Sequence, residues 1–242
     1  MEYAVKIKNL SKSYGDIQAL NDFGLSVKRG EIFGLLGHNG AGKTTAVECM
    51  LGLRKKDFGS VELLGMDPQL KRRKLFEKVG VQFQHTGFQD KIKVEECCRL
   101  TASLYEKRAD WLELLEKFRL DVRRDHTVSD LSGGEKQKLA VIQALIGKPE
   151  LLFLDELTTG LDPEARRDVW DYLKGLSSNG ITIVLTSHFM DEVEYLCDNI
   201  TVLKKGKTIA SGNPGSLILD HGHKNLEELF LSLMRSDKGD AA

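Results

Sequence analysis

The segment Gly37-His38-Asn39-Gly40-Ala41-Gly42-Lys43-Thr44-Thr45 follows the apolar run Ile32 to Leu36 and spaces glycines at 37, 40 and 42 before a lysine and two hydroxyls. That order lets a tight loop turn its backbone N–H groups inward as an anion nest at the start of a helix. Phosphate oxygens belong there, with Lys43 bridging β- and γ-phosphates as a point charge and the Thr44 hydroxyl helping to coordinate Mg²⁺. A second constellation is Asp155-Glu156, which closes the run Leu151-Leu152-Phe153-Leu154. A buried strand of a parallel sheet delivers its functional groups at its C-terminal end. Asp155 is placed to hold Mg²⁺, directly or through water. Glu156 is placed to polarise an attacking water as general base, a role worth roughly 10² to 10⁴ in rate. The plainer alternative is that Asp-Glu only caps the next helix. The chemistry implied is transfer of a nucleotide's terminal phosphoryl group to water.

These groups need elements to hold them. The first ninety residues carry short β-type runs, Ala4 to Ile7, Gly24 to Val27, Ile32 to Leu36, Val61 to Leu64 and Val79 to Phe83, punctuated by glycines. From about Val94 to Leu120 the pattern turns helical, with Leu112, Leu115 and Phe118 at spacings of three, and predicts a helical lobe. Beyond it, Leu151 to Leu154 and Ile181 to Leu185 read as buried parallel strands, with a crossover helix over Glu164 to Leu176. Ile200 to Ala210 reads as a hairpin around Lys205-Gly206, and Asn225 to Met234 as a helix with Leu226, Leu229, Phe230 and Leu233 on one face. The last seven residues, SDKGDAA, read as a disordered tail.

Composition bounds the rest. The chain has 242 residues, 41% of them hydrophobic, enough for a substantial core, and a formal net charge of -1. That balance carries no electrostatic footprint for general nucleic-acid binding, and no nucleic-acid partner is expected. Cys49, Cys97, Cys98 and Cys197 form neither a CxxC pair nor a His-spaced cluster, which argues for free thiols in a reducing compartment. No apolar run approaches the roughly 18 residues of a membrane span, and the start MEYAVKIKNL is strand-like. The sequence is expected to be cytoplasmic, reaching a membrane only by docking onto something else.

A third constellation, Leu131-Ser132-Gly133-Gly134-Glu135-Lys136-Gln137, opens a helix whose free N–H groups and positive dipole end can face a γ-phosphate. It matches the LSGGQ signature of ATP-binding cassette proteins, and the chain resembles that family from about Tyr3 to Met234. The resemblance implies an α/β fold: a P-loop NTPase cassette with a RecA-like mixed sheet core, an N-terminal antiparallel β subdomain and a helical lobe. Core and β subdomain would take about 1–90 and 146–212, the lobe with the signature about 91–145, and C-terminal helices about 213–235, followed by the 236–242 tail.

The same resemblance assigns further residues. Tyr14, in SKSYG, matches the aromatic on which adenine stacks, a contact typically worth about 1 to 3 kcal/mol. Gln84 matches the glutamine that reaches Mg²⁺ and the attacking water, with Gln82 the weaker candidate. His188, in LTSH, matches the switch histidine that contacts γ-phosphate. Asp162, in TGLDP, matches the loop that communicates across a dimer, although it also reads as a helix N-cap with Pro163 at N1. Two departures are His38, where proline is commoner, and Leu157, which replaces the proline that usually follows the Asp-Glu pair.

In this family two cassettes pair head to tail, so that ATP lies between the phosphate loop of one and Ser132-Gly133-Gly134 of the other. The resemblance is strongest to bacterial exporter ATPases of the drug and peptide efflux type. It implies ATP and Mg²⁺ as ligands and a second cassette as partner. It also implies polytopic permease subunits docking near Gln84 to Val94, and a peripheral location on the inner face of the cell membrane. The alternative is a soluble cassette ATPase acting on DNA or the ribosome. One phosphate loop and no coiled-coil or zinc insertion argue against it.

Overall fold

The computed structural model describes residues 3–83, 87–158 and 160–235. These described residues fall into two compact units, one within 3–72 and 186–235 and the other within the described part of 73–185.

The first unit opens with β1 (Tyr3–Tyr14) and β2 (Ile17–Lys28), an antiparallel hairpin turned over Gly15-Asp16. Apolar residues recur on one side of each strand, and Ala4, Val5, Ile7, Leu10, Leu20, Phe23, Leu25 and Val27 are buried. Next come β3 (Ile32–Leu36), buried along its whole length, α1 (Lys43–Met50) and β4 (Phe58–Leu63). β4 pairs antiparallel with the other side of β1, completing the sheet β2-β1-β4.

The chain enters the second unit along α2 (Arg72–Phe76), which leads into β5 (Val79–Gln82), followed by α3 (Val94–Ser103), α4 (Trp111–Lys117), α5 (Gly133–Ile146), β6 (Leu151–Asp155) and α6 (Pro163–Ser178), and leaves it at the end of β7 (Thr182–Thr186). β5 and β6 run parallel with Gln82 opposite Leu154, and β7 flanks β6. α5 lies so close to β5 that a Cβ at Gly80 would collide with the Ala144 carbonyl.

The helical pattern from Val94 to Leu120 resolves into α3 and α4. The Tyr105 ring fills the space beside Gly147, where a Cβ would lie 2.6 Å from it, and the Ala109 N–H donates to the Ile146 carbonyl at 2.8 Å. These contacts pull the chain off the helix axis, and Asp110 then caps α4 by accepting from the Leu112 N–H at 2.9 Å.

The chain returns to the first unit through α7 (Met190–Leu196), β8 (Asn199–Lys204), β9 (Lys207–Gly212), α8 (Pro214–Asp220) and α9 (Leu226–Arg235). β8 is parallel to β3 and antiparallel to β9, so the sheet is mixed. A polar clasp sets the start of β3: Asp198 Oδ2 accepts from the Ile32 N–H at 2.8 Å, and Glu31 accepts from the Lys28 N–H and from Asn199 Nδ2, both at 2.6 Å. The strand that feeds the glycine loop is thereby fixed in register.

Candidate nucleotide site

In the first unit β3 ends at Leu36 and the chain turns through Gly37 to Gly42 into α1. The turn requires its glycines. A Cβ on Gly37 would lie 2.6 Å from the Leu203 carbonyl oxygen and 2.8 Å from Ala41 Cβ; one on Gly42, at φ 109, would lie 2.5 Å from the Ala19 carbonyl oxygen. Gly42 occupies the N-cap position of α1 with no side chain capping the helix. The N–H groups of its first turn therefore face outward with the positive end of the dipole behind them.

Lys43 is buried, at 8% exposure, and its ammonium donates to the carbonyls of Gly37 at 2.7 Å and His38 at 3.3 Å. His38, Asn39, Gly40 and Thr44 are exposed, Thr45 is half-buried, and the His38 ring meets the Asn39 carbonyl through Nδ1. This cradle suits a phosphate, with a cation below and amides above. Tyr14 stands at the tip of the β1–β2 hairpin, 41% exposed. His188 is exposed just after β7, its ring 4.2 Å from that of Phe189. The buried Ser187 shapes that turn by accepting from the Phe189 N–H at 3.0 Å.

In the second unit Asp155 ends β6, 9% exposed, a hard oxygen donor of the kind Mg²⁺ takes. Glu156 follows with φ 51, a left-handed backbone that a residue with a Cβ seldom adopts. Its carbonyl accepts from Gln137 Nε2 at 3.4 Å. Leu157 is buried at 2%, so where proline is the commoner residue this chain packs an aliphatic side chain into the core.

Ser132 is the N-cap of α5 in a reciprocal capping box. Its Oγ accepts from the Glu135 N–H at 3.2 Å, while its own N–H donates to Glu135 Oε2 at 2.8 Å. Arg123 Nε holds the other carboxylate oxygen at 2.9 Å. The Ser132 backbone donor and Arg123 keep the Glu135 carboxyl below its ordinary range. A Cβ on Gly134 would lie 3.2 Å from the Gly160 carbonyl oxygen, which leaves this end of α5 close to the Gly160-Leu161 turn. Asp162 caps α6, its Oδ1 accepting from the Ala165 N–H at 2.9 Å with Pro163 in the first turn, and that bond keeps its carboxyl low.

Gln84 lies outside the described residues. Of the segment expected to meet a permease, residues 87–94 are described. They are anchored where the Ile92 carbonyl accepts from the Val128 N–H at 2.8 Å and the Val94 N–H donates to the His126 carbonyl at 3.1 Å. One residue carries more than the sequence reading gave it. Gln82 is 1% exposed, and its side chain accepts from the Asp155 N–H at 3.1 Å and donates to the Asp155 carbonyl at 3.3 Å. A glutamine closing the otherwise apolar run Val79-Gly80-Val81 was the available signal.

Residues 20–159 match the model of the family described as ABC transporter. The chain belongs to that family. The chain is 41% identical over 232 residues to the Nod factor export ATP-binding protein I of Bradyrhizobium diazoefficiens, covering 94% of this chain and 76% of that protein. It is 42% identical over 221 residues to the protein of the same name from Cupriavidus pinatubonensis, covering 88% of this chain and 67% of the relative. Among solved structures, an ATP binding subunit of an ABC transporter superposes with a TM-score of 0.89 at 28% identity, over 96% of this chain and all of that one. The ATP-binding cassette MJ0796, in a dimeric post-hydrolysis state bound to ADP and Pi, superposes with a TM-score of 0.78 at 25% identity, over 86% of this chain and 98% of that one. As a member of this family the chain is an ATP-binding ATPase whose hydrolysis is coupled to transport. The α/β architecture with a mixed sheet and an antiparallel β subdomain is that of the ABC cassettes. The relatives are export proteins, and a soluble cassette acting on DNA or the ribosome is not favoured.

Proposed function

We propose that this ABC ATPase is the motor subunit of a membrane exporter, and that the residues named above divide the work of hydrolysis. The observation that carries the ATP assignment is the buried Lys43 ammonium, bonded to Gly37 and His38 below the uncapped start of α1. Lys43 and the loop from Gly37 to Thr45 bind the β- and γ-phosphates, Tyr14 stacks on adenine, and His188 contacts the γ-phosphate. Glu156 polarises the attacking water. Mg²⁺, held by Thr44, Asp155 and Gln84, would neutralise charge on the transferring phosphoryl group.

A second cassette completes each site by presenting Ser132, Gly133 and Gly134, and Asp162 lies in the loop that communicates between the two. The dimeric MJ0796 structure and the export names of the relatives support this reading. Among the described residues no helix is long and apolar enough to cross a membrane. In this reading the chain works at the inner face through permease subunits docking near Gln84 to Val94, as one cassette whose lobe spans about 91–145. The test is co-purification from membranes. The expected result is recovery with a polytopic protein of about six apolar spans, and recovery with ribosomes or DNA instead would overturn it.

A further inference from the structure

The loop preceding β4 reaches the tip of the hairpin that carries Tyr14, and one residue there makes three attachments to consecutive residues. Asp57 donates its N–H to the Ser11 carbonyl at 3.0 Å, accepts from Lys12 Nζ through Oδ1 at 2.8 Å, and accepts from the Ser13 N–H through Oδ2 at 2.7 Å. Ser11, Lys12 and Ser13 are the three residues immediately before Tyr14. The Lys12 ammonium lies 5.4 Å from the centroid of the Tyr14 ring, within cation–π range. The Lys12 side chain is only 16% exposed. Asp57 is held below the usual carboxylate range, chiefly by Lys12 and then by the Ser13 N–H.

The other strand of the hairpin is tied to the phosphate loop. The Asn21 N–H donates to the Gly206 carbonyl and the Gly206 N–H to the Ala41 carbonyl, both at 2.9 Å, and the Ala19 carbonyl fills the place of a Cβ on Gly42. Ring and loop are thus fastened to one frame.

We propose that the Lys12–Asp57 pair is a positioning device for Tyr14, occupying one face of its ring and fixing the hairpin tip so that the opposite face is offered to the adenine of a nucleotide whose phosphates lie in the Gly37 to Thr45 loop. The inference rests on the reading of Tyr14 as the adenine platform. Lys12 and Asp57 both lie outside the Gly37 to Thr45 phosphate loop. Their loss weakens recognition of the base and leaves the anion site intact, a separation that a general structural role does not produce.

The test is calorimetric titration of the full chain with ATP and, separately, with inorganic tripolyphosphate, both with Mg²⁺. Lys12→Ala and Asp57→Asn are expected to raise the Kd for ATP roughly fivefold to tenfold, in line with the strength of ring contacts, and to leave tripolyphosphate affinity unchanged. Lys12→Arg keeps the cation and should restore most of the ATP affinity. In a Tyr14→Ala background, Lys12→Ala should have no further effect. Equal weakening of tripolyphosphate, an effect of Lys12→Ala that persists without the Tyr14 ring, or no effect at all in the parent chain would each overturn the proposal. If Tyr14→Ala alone leaves ATP affinity unchanged, the platform reading itself falls and the proposal with it. That outcome is distinct from a Tyr14→Ala loss that Lys12→Ala fails to reproduce.

Discussion

Gln82 and Asp155 exchange two hydrogen bonds across neighbouring strands, the glutamine amide clamping both the N–H and the carbonyl of the aspartate residue at 3.1 and 3.3 Å. The clamp fixes the backbone that aims the Asp155 carboxylate. Supports of this kind around metal-binding groups are worth roughly 10–100-fold in metal affinity or activity. Gln82→Leu fits the strand but removes both side-chain hydrogen bonds to the Asp155 backbone. It is expected to lower the ATPase rate by about tenfold or more and to raise the Mg²⁺ concentration needed for half-maximal activity. Steady-state hydrolysis across a Mg²⁺ series checks both, and an unchanged Mg²⁺ requirement would deny Gln82 this role.

Glu156→Gln removes the carboxylate proposed as general base and keeps the shape of the side chain. Binding of ATP should persist while hydrolysis falls by about 10²–10⁴-fold, and the closed dimer should last longer. Size-exclusion chromatography with Mg·ATP reads the second effect. A protein that stays monomeric and fully active would contradict both the base assignment and the dimer.

Lys43→Ala deletes the cation beneath the loop and releases the carbonyls of Gly37 and His38. Charge-assisted hydrogen bonds contribute about 1.5–3 kcal/mol, so ATP affinity should drop roughly tenfold to a hundredfold. Equilibrium dialysis with labelled nucleotide measures it, and undiminished binding would remove the loop from the ATP site.

The capping box at Ser132 gives the stability of the chain a signed pH dependence. Glu135 titrates below its ordinary value of 4.5 in the folded chain, first because the Ser132 N–H donates to it and also because Arg123 does. Its stabilisation is therefore complete above pH 4.5 and is lost as pH falls through the lower folded value. Glu135→Gln should cost about 0.5–1 kcal/mol at pH 7, reduced by the solvent reaching the side chain, with the gap closing on acidification. Urea titrations of both proteins at neutral and acid pH measure the difference, and a gap that widens in acid would contradict the charge argument.

Local necessity was the part of this molecule legible in sequence. The glycines at 37 and 42 could be read because their environment forbids a Cβ, and Asp162-Pro163 could be read as a helix start because cap and first turn lie side by side in the chain. β3 was legible to the residue since all five positions are apolar and buried. Pairings between distant segments were not legible. Gln82 acquires its meaning from Asp155, which no periodicity connects to it, and the break between α3 and α4 depends on Tyr105 meeting Gly147. β1 and β2 run longer than their apolar cores because the hairpin ladder continues to Tyr14 and Ile17, where alternation has ceased. The short helices α7 and α8 span too few turns to print a period.

The left-handed backbone at Glu156 sets chemistry against folding at a single position. Glycine is at ease in that conformation while glutamate holds it at a cost of about 1 kcal/mol or more. Glu156→Gly should accordingly tolerate heat slightly better than the parent while turning over far less ATP, which differential scanning calorimetry beside an ATPase assay would register. A chain optimised for durability alone would discard this glutamate, so with the role proposed for Glu156 its presence is a trade of robustness for turnover.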